Sequence, residues 1–213
     1  MKKLFLLVAI LFILTGCASV QSSSIEEILN SSMNSLVDVV NVNRKGYSYY
    51  LPRGLSIKSS HDYNEIISDQ KYLYYLYVDI VSYNSEVTFS YNINDEAYYS
   101  ASLSNNGEKG YIEINNYEND QYLIEIMYNY AKIEVIVDEG DINRAMLSAI
   151  SILKSIVYND SIITNLLEDN VLDFAEEEFD IFNNNSNDDD YIDVGTDDFQ
   201  PIEEEIPDSD LLN

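Results

Sequence analysis

Few residues in this chain could carry chemistry, and two of them are unique. Cys17 is the single cysteine and His61 the single histidine among 213 residues. A nucleophilic site of the Ser-His-Asp or Cys-His kind would have to use His61. Its sequence neighbour is Asp62, a spacing that does not orient an imidazole for catalysis, so His61 reads as a surface residue in a polar loop. A tetrahedral zinc site lacks its His and Cys set. The seven glycines show no G-x-G-x-x-G, P-loop or G-x-S-x-G spacing. Oxygen ligands abound, with 38 acidic residues, and Asp188-Asp189-Asp190-Tyr191-Ile192-Asp193-Val194-Gly195 has the outline of a calcium loop. Setting Gly195 at the loop's invariant glycine puts Ile192 and Val194 where ligands are required. That match fails. A carboxylate pair working as acid and nucleophile is the one catalytic arrangement left open. The expectation is no metal, no cofactor and no enzyme, with a carboxylate-pair hydrolase as the alternative.

Cys17 has a context of its own. Met1-Lys2-Lys3 is basic, Leu4 to Leu14 is an unbroken apolar run of eleven residues, and Leu14-Thr15-Gly16-Cys17 follows. A basic start, an apolar core of that length and a small-residue exit make a secretory signal peptide; spanning a bilayer takes about 20 residues. The closing Leu-x-Gly-Cys resembles the lipobox of bacterial lipoproteins. The resemblance implies cleavage between Gly16 and Cys17 and a diacylglycerol thioether on the Cys17 thiol. It also implies anchoring at the outer face of the bacterial cytoplasmic membrane. Two acyl chains suffice for stable anchoring, because each buried methylene contributes about 0.8 kcal/mol and a single chain is marginal.

The charge is unevenly spread. Residues 160–213 hold 19 of the 38 acids and no Lys or Arg, so they carry −19 of the net −27. A chain this acidic offers no basic patch for phosphates, which disfavours a nucleic-acid partner. Anionic headgroups should repel it. With one cysteine there is no internal disulfide, and burial must hold the fold.

The elements follow from periodicity. Residues 17–24 read as the lipidated cysteine and a small-polar tether. Ser24-Ile25-Glu26-Glu27 fits a capping box, and Ile25, Ile28, Leu29, Met33, Leu36, Val39 and Val40 predict a helix over Ile25 to Asn41. Strands are predicted at Tyr47–Leu51, Leu55–Lys58, Val87–Tyr91, Ala97–Leu103, Tyr111–Asn115, Tyr122–Tyr128 and Lys132–Val137. His61 to Ser68 fits either a helical turn or a loop. Lys71 to Tyr83 reads as a central strand covered on both faces, because both of its alternating sets are largely apolar or aromatic. Asp141 is the natural N-cap of a helix whose apolar stripe is Ile142, Ala145, Met146, Ala149, Ile150, Leu153, Ile156 and Val157. Helix, many strands, helix is an α+β order: an antiparallel sheet flanked by an N-terminal and a C-terminal helix over residues 25–158. Residues 159–182 keep helical spacing as an acidic amphipathic segment, either packed on the domain or formed on a partner. Residues 183–213 are acidic, low in complexity and expected to be disordered.

Leu51-Pro52-Arg53-Gly54-Leu55 and Ile152-Leu153-Lys154-Ser155-Ile156 resemble the PsbP-like fold of many small exported lipoproteins. That resemblance implies an accessory or binding role for residues 25–158 and transfers no functional residue. Tyr72, Tyr74, Tyr75, Tyr77, Tyr98 and Tyr99 could form a ligand platform, but strand alternation favours packing for most of them. The reading that emerges is a membrane-anchored lipoprotein with a non-catalytic binding or accessory role in the cell envelope, meeting a protein or envelope partner. The alternative puts function in the acidic tail as a cation-binding or partner-recruiting segment, with Phe174, Phe179, Phe182, Phe199 and Ile202 as anchors.

Overall fold

The computed structural model describes residues 23–35 and 39–168. The signal peptide, Gly16 and Cys17, most of the tether, residues 169–182 of the acidic segment and the tail at 183–213 lie outside the described residues. Within them the protein is α+β. The elements are α1 (Ile25–Asn34), β1 (Val42–Asn43), β2 (Tyr47–Tyr49), β3 (Ser56–His61), β4 (Asn64–Ser68), β5 (Leu73–Val78) and α2 (Ile80–Asn84). Then come β6 (Tyr99–Asn105), β7 (Glu108–Asn116), β8 (Gln121–Tyr128), β9 (Ala131–Asp138), α3 (Ile142–Lys154), β10 (Val157–Tyr158) and α4 (Asp160–Glu168). A seven-stranded antiparallel sheet runs β3-β4-β5-β9-β8-β7-β6, and a small second sheet runs β1-β2-β10.

One face of the large sheet carries the core. Ile112, Ile114, Ile124, Ile126, Ile133, Val135 and Val137 alternate inward from β7, β8 and β9, and α3 lays Ala145, Met146, Ala149, Ile150 and Leu153 on them. α1 packs beside α3. Its capping box forms as expected: the Ser24 hydroxyl accepts from Glu27 N–H and the Glu27 carboxylate accepts from Ser24 N–H, both at 3.1 Å.

Several expectations change, each for a local reason. α1 stops at Asn34 rather than Asn41, because its last carbonyls go to a distant cation. The Lys154 ammonium donates to the carbonyls of Ser32, Met33 and Ser35 at 2.6–2.8 Å. Val39 and Val40, counted in the apolar stripe, are exposed. His61 to Ser68 is neither helical turn nor loop; it completes a hairpin in which β3 and β4 pair through a turn at Asp62, whose φ is +49°. The long strand over Lys71 to Tyr83 ends at Val78, since the Asp79 carboxylate accepts from Ser82 N–H and starts α2. β5 is interior to the sheet as expected, yet only its Tyr74, Leu76 and Val78 face is buried, and Leu73 stands exposed.

Val87 to Tyr91 is not a strand, and its rings stack instead of its backbone pairing. Val157 leaves the helix for β10, and Tyr47 and Val157 belong to the second sheet. Asp141 makes no capping bond because its carboxylate is taken by Lys71 Nζ at 2.6 Å, Tyr72 Oη at 2.7 Å and Arg144 Nη2 at 3.0 Å. The start of the acidic segment packs on the domain, with Ile163 and Leu166 buried in α4.

Candidate functional site

No helix covers the other face of the large sheet among the described residues. Register lines up its side chains in rows. One row runs Ile66, Tyr75, Glu134, Glu125, Glu113, Ser100 across β4, β5, β9, β8, β7 and β6. The next runs Tyr77, Lys132, Met127, Tyr111, Ser102. Three glutamates thus stand side by side on adjacent strands. Like charges directly opposite each other destabilise a sheet, so this row needs compensation.

The compensation differs at each position. Glu113 accepts from Tyr91 Oη, from Asn94 Nδ2 at 2.8 Å and from Asn115 Nδ2 at 2.9 Å. Burial pushes its pKa upward, but those donors override it and hold the carboxyl below the usual range. Glu125 accepts from the Tyr111 hydroxyl. Glu134 is only 2% exposed. Lys132 Nζ lies 3.1 Å from its carboxyl, yet neither oxygen has a donor in good hydrogen-bond geometry among the described residues. Burial raises the Glu134 pKa; Lys132 opposes this and Glu125 adds to it. The row therefore holds one carboxylate satisfied by three protein donors and one whose pKa burial raises.

The segment after α2 lies across this face. Phe89 and Tyr91 both stack on the Tyr111 ring, at centroid separations of 5.5 and 4.4 Å and interplanar angles of 11° and 6°. Asn94 N–H donates to Ser100 Oγ at 2.9 Å. A hollow of about 260 Å³ opens beside the segment, between Phe89, Lys109, Met127 and Tyr130. The face offers rings, methylenes and the half-buried Glu113 and Glu125 carboxylates to whatever lies on it, while Glu134 is closed off.

A hydrolytic use of the Glu125–Glu134 pair does not fit this geometry. Catalytic carboxylates flank a substrate cleft, and Glu134 is closed to one. A second acidic centre is structural. Glu65 is buried and accepts from Arg44 Nε at 3.1 Å and Nη2 at 2.7 Å, Tyr47 Oη at 3.0 Å and Tyr49 Oη at 2.9 Å, pinning the small sheet to β4. Burial, reinforced by Glu65, pushes both phenols far above their usual pKa.

His61 is, as expected, on the surface: its ring is 83% exposed, with Nδ1 3.2 Å from Asp62. Of the six tyrosines weighed as a platform, Tyr72 and Tyr74 are core, Tyr75 and Tyr77 are half-buried on the open face, Tyr99 is half-buried and Tyr98 is exposed. The resembling motifs have structural duties. Lys154 caps α1, and Ser155 Oγ accepts from Tyr50 N–H at 2.8 Å. Gly54 takes φ +90° in the turn after Pro52.

The glutamate row escaped the sequence reading, although it left a trace. Ile112-Glu113-Ile114, Ile124-Glu125-Ile126 and Ile133-Glu134-Val135 repeat the pattern Ile-Glu-(Ile/Val) in three successive strands, and period-two alternation puts each glutamate opposite the core. Comparison with known proteins adds no further assignment: no family model, curated protein or solved structure matches the chain.

Proposed function

We propose that this is an exported, lipid-anchored accessory protein of the bacterial cell envelope, held at the outer face of the cytoplasmic membrane through Cys17 and acting by binding rather than by catalysis. The observation that carries the reading is the run from Met1 to Cys17, which ends in Leu14-Thr15-Gly16-Cys17. The domain behind it supports a binding role. The open sheet face around Tyr75, Tyr77, Met127 and the half-buried Glu113 and Glu125 is the surface we assign to a protein or envelope partner. The PsbP-like motifs agree with an accessory role.

Two experiments test the reading. Cys17→Ser should abolish lipid labelling and release the protein from membranes; a variant that stays bound and labelled would refute the anchor. A pull-down from native membranes should compare the full mature chain with one ending at Glu168, which keeps the buried Ile163 and Leu166 of α4. A partner retained by both places recognition on the domain. A partner lost on truncation moves it to the acidic tail.

A further inference from the structure

The two edges of the large sheet are built differently. β3 carries Lys58, is exposed along most of its length, and shifts register between Ile57 and Ser59. A bulge and a lysine are the devices by which edge strands avoid pairing with another chain. β6 has neither. Its sequence, Tyr99-Ser100-Ala101-Ser102-Leu103-Ser104-Asn105, holds no charge and no proline, and its register with β7 runs unbroken from Tyr99↔Ile114 to Asn105↔Glu108.

The turn fixes which backbone groups point outward. Asn106 and Gly107 form a two-residue loop with φ of +54° and +94°, the primed hairpin turn whose flanking residues exchange hydrogen bonds. Asn105 and Glu108 are that pair. Alternation along an antiparallel ladder then turns the N–H and C=O of Ser104, Ser102 and Ser100 away from β7. Among the described residues no backbone hydrogen bond reaches them. Ser102 and Ser104 are exposed.

We propose that β6 pairs antiparallel with β6 of a second copy of this chain, about a two-fold axis at Ser102, so that the two sheets become one. The strand is self-complementary in this register. Ser102 meets Ser102 and Ser100 meets Ser104 on the open face; Ala101 meets Leu103 and Tyr99 meets Asn105 on the helix face. No like charges oppose each other, and each outward serine pair exchanges two backbone hydrogen bonds. A shift by one residue would turn the second copy's helices to the opposite face of the joined sheet. This register uses the whole strand. Opposing it is the net charge of −27 per chain, which salt screens; the Debye length falls from about 10 Å at 0.1 M to about 3 Å at 1 M.

The test uses the mature-length chain with Cys17→Ser, so that no native thiol is present. Sedimentation should show a concentration-dependent dimer whose fraction rises with salt. Adding Ser102→Cys should give a disulfide-linked dimer under mild oxidation, since facing residues in a hydrogen-bonded pair sit about 5.5 Å apart at Cα, within disulfide reach. Ser59→Cys on the guarded edge should not cross-link. Ser102→Lys should sediment as a monomer with an unchanged circular dichroism spectrum, and Ser104→Lys serves the same purpose if Ser102→Lys fails to fold. A chain that stays monomeric at every concentration and salt level would overturn the proposal. So would equal cross-linking of Ser102→Cys and Ser59→Cys.

Discussion

Glu65→Ala is the substitution whose cost can be worked most directly from the structure. It removes a fully buried carboxylate from four donors: two on Arg44 and one each on Tyr47 and Tyr49. The tyrosine hydroxyls cannot turn to water, because their residues are 2% and 0% exposed. Each orphaned hydroxyl costs about 1–3 kcal/mol. The Arg44 side chain is 26% exposed and can rehydrate in part, so its loss falls at the low end. Together these costs come to about 3–7 kcal/mol, and the part that overlaps the range of about 3–5 kcal/mol for breaking a buried ion pair by deleting one partner is the expected loss. Against a total stability of about 5–15 kcal/mol, that is a drop in Tm of roughly 10–15 °C for a domain this size.

A second substitution sharpens the test. Tyr49→Phe in the native background loses a bond to a charged acceptor and costs about 1.5–3 kcal/mol. In the Glu65→Ala background it removes an orphaned hydroxyl and becomes neutral or stabilising. Urea melts of the four proteins give the coupling. The reasoning fails if Glu65→Ala costs under about 1 kcal/mol, or if Tyr49→Phe costs the same in both backgrounds.

Gly110→Ala should destabilise by about 1–3 kcal/mol or more, because a Cβ there would lie 2.0 Å from the Met127 carbonyl oxygen and 2.8 Å from Tyr128 Cα, both backbone atoms of β8. Gly140→Ala, with no heavy atom within 4 Å of its Cβ, should stay within about 0.5 kcal/mol in the same denaturant assay. Glu134 binds its proton more tightly folded than unfolded, so its contribution to stability is full below the ordinary glutamate pKa and is lost as pH rises through the raised one. Glu134→Gln should flatten that part of the stability–pH curve, and a slope unchanged from the native protein would contradict the assignment. Burial raises the phenols of Tyr47, Tyr49, Tyr74 and Tyr111 well above their usual value. Stability should therefore fall as pH climbs past about 10, with tyrosinate absorbance appearing together with unfolding rather than before it.

The α+β order was legible because its strongest signals are local. The Ser24–Glu27 capping box depends on four consecutive residues, and the Ile142 to Leu153 stripe on one helix's own period. Both stand as read. What was misread depends on partners far along the chain. α1 ends where Lys154 claims its carbonyls, about 120 residues away in sequence. Val87 to Tyr91 has strand composition, but Phe89 and Tyr91 find a better partner in the Tyr111 ring than in another backbone. Leu55 to Lys58 was legible as a strand, but the continuation of β3 to His61 was not, since it is a polar edge strand with no buried face to betray it. The glutamate row needed the register of three strands at once, and no window along the sequence holds that.

The grip on α1 also sets a leash. Asn143 Nδ2 of α3 donates to the Ser23 carbonyl at 2.8 Å, and Lys154 holds the helix at its far end. From Cys17 up to the grip at Ser23 the chain is six residues long, 17–22. At no more than 3.3–3.6 Å per residue, that stretch reaches about 20 Å. If Cys17 sits at a bilayer surface, the domain can swivel there but not wander. Any partner it meets would then lie within one tether length plus one domain diameter of the lipid headgroups.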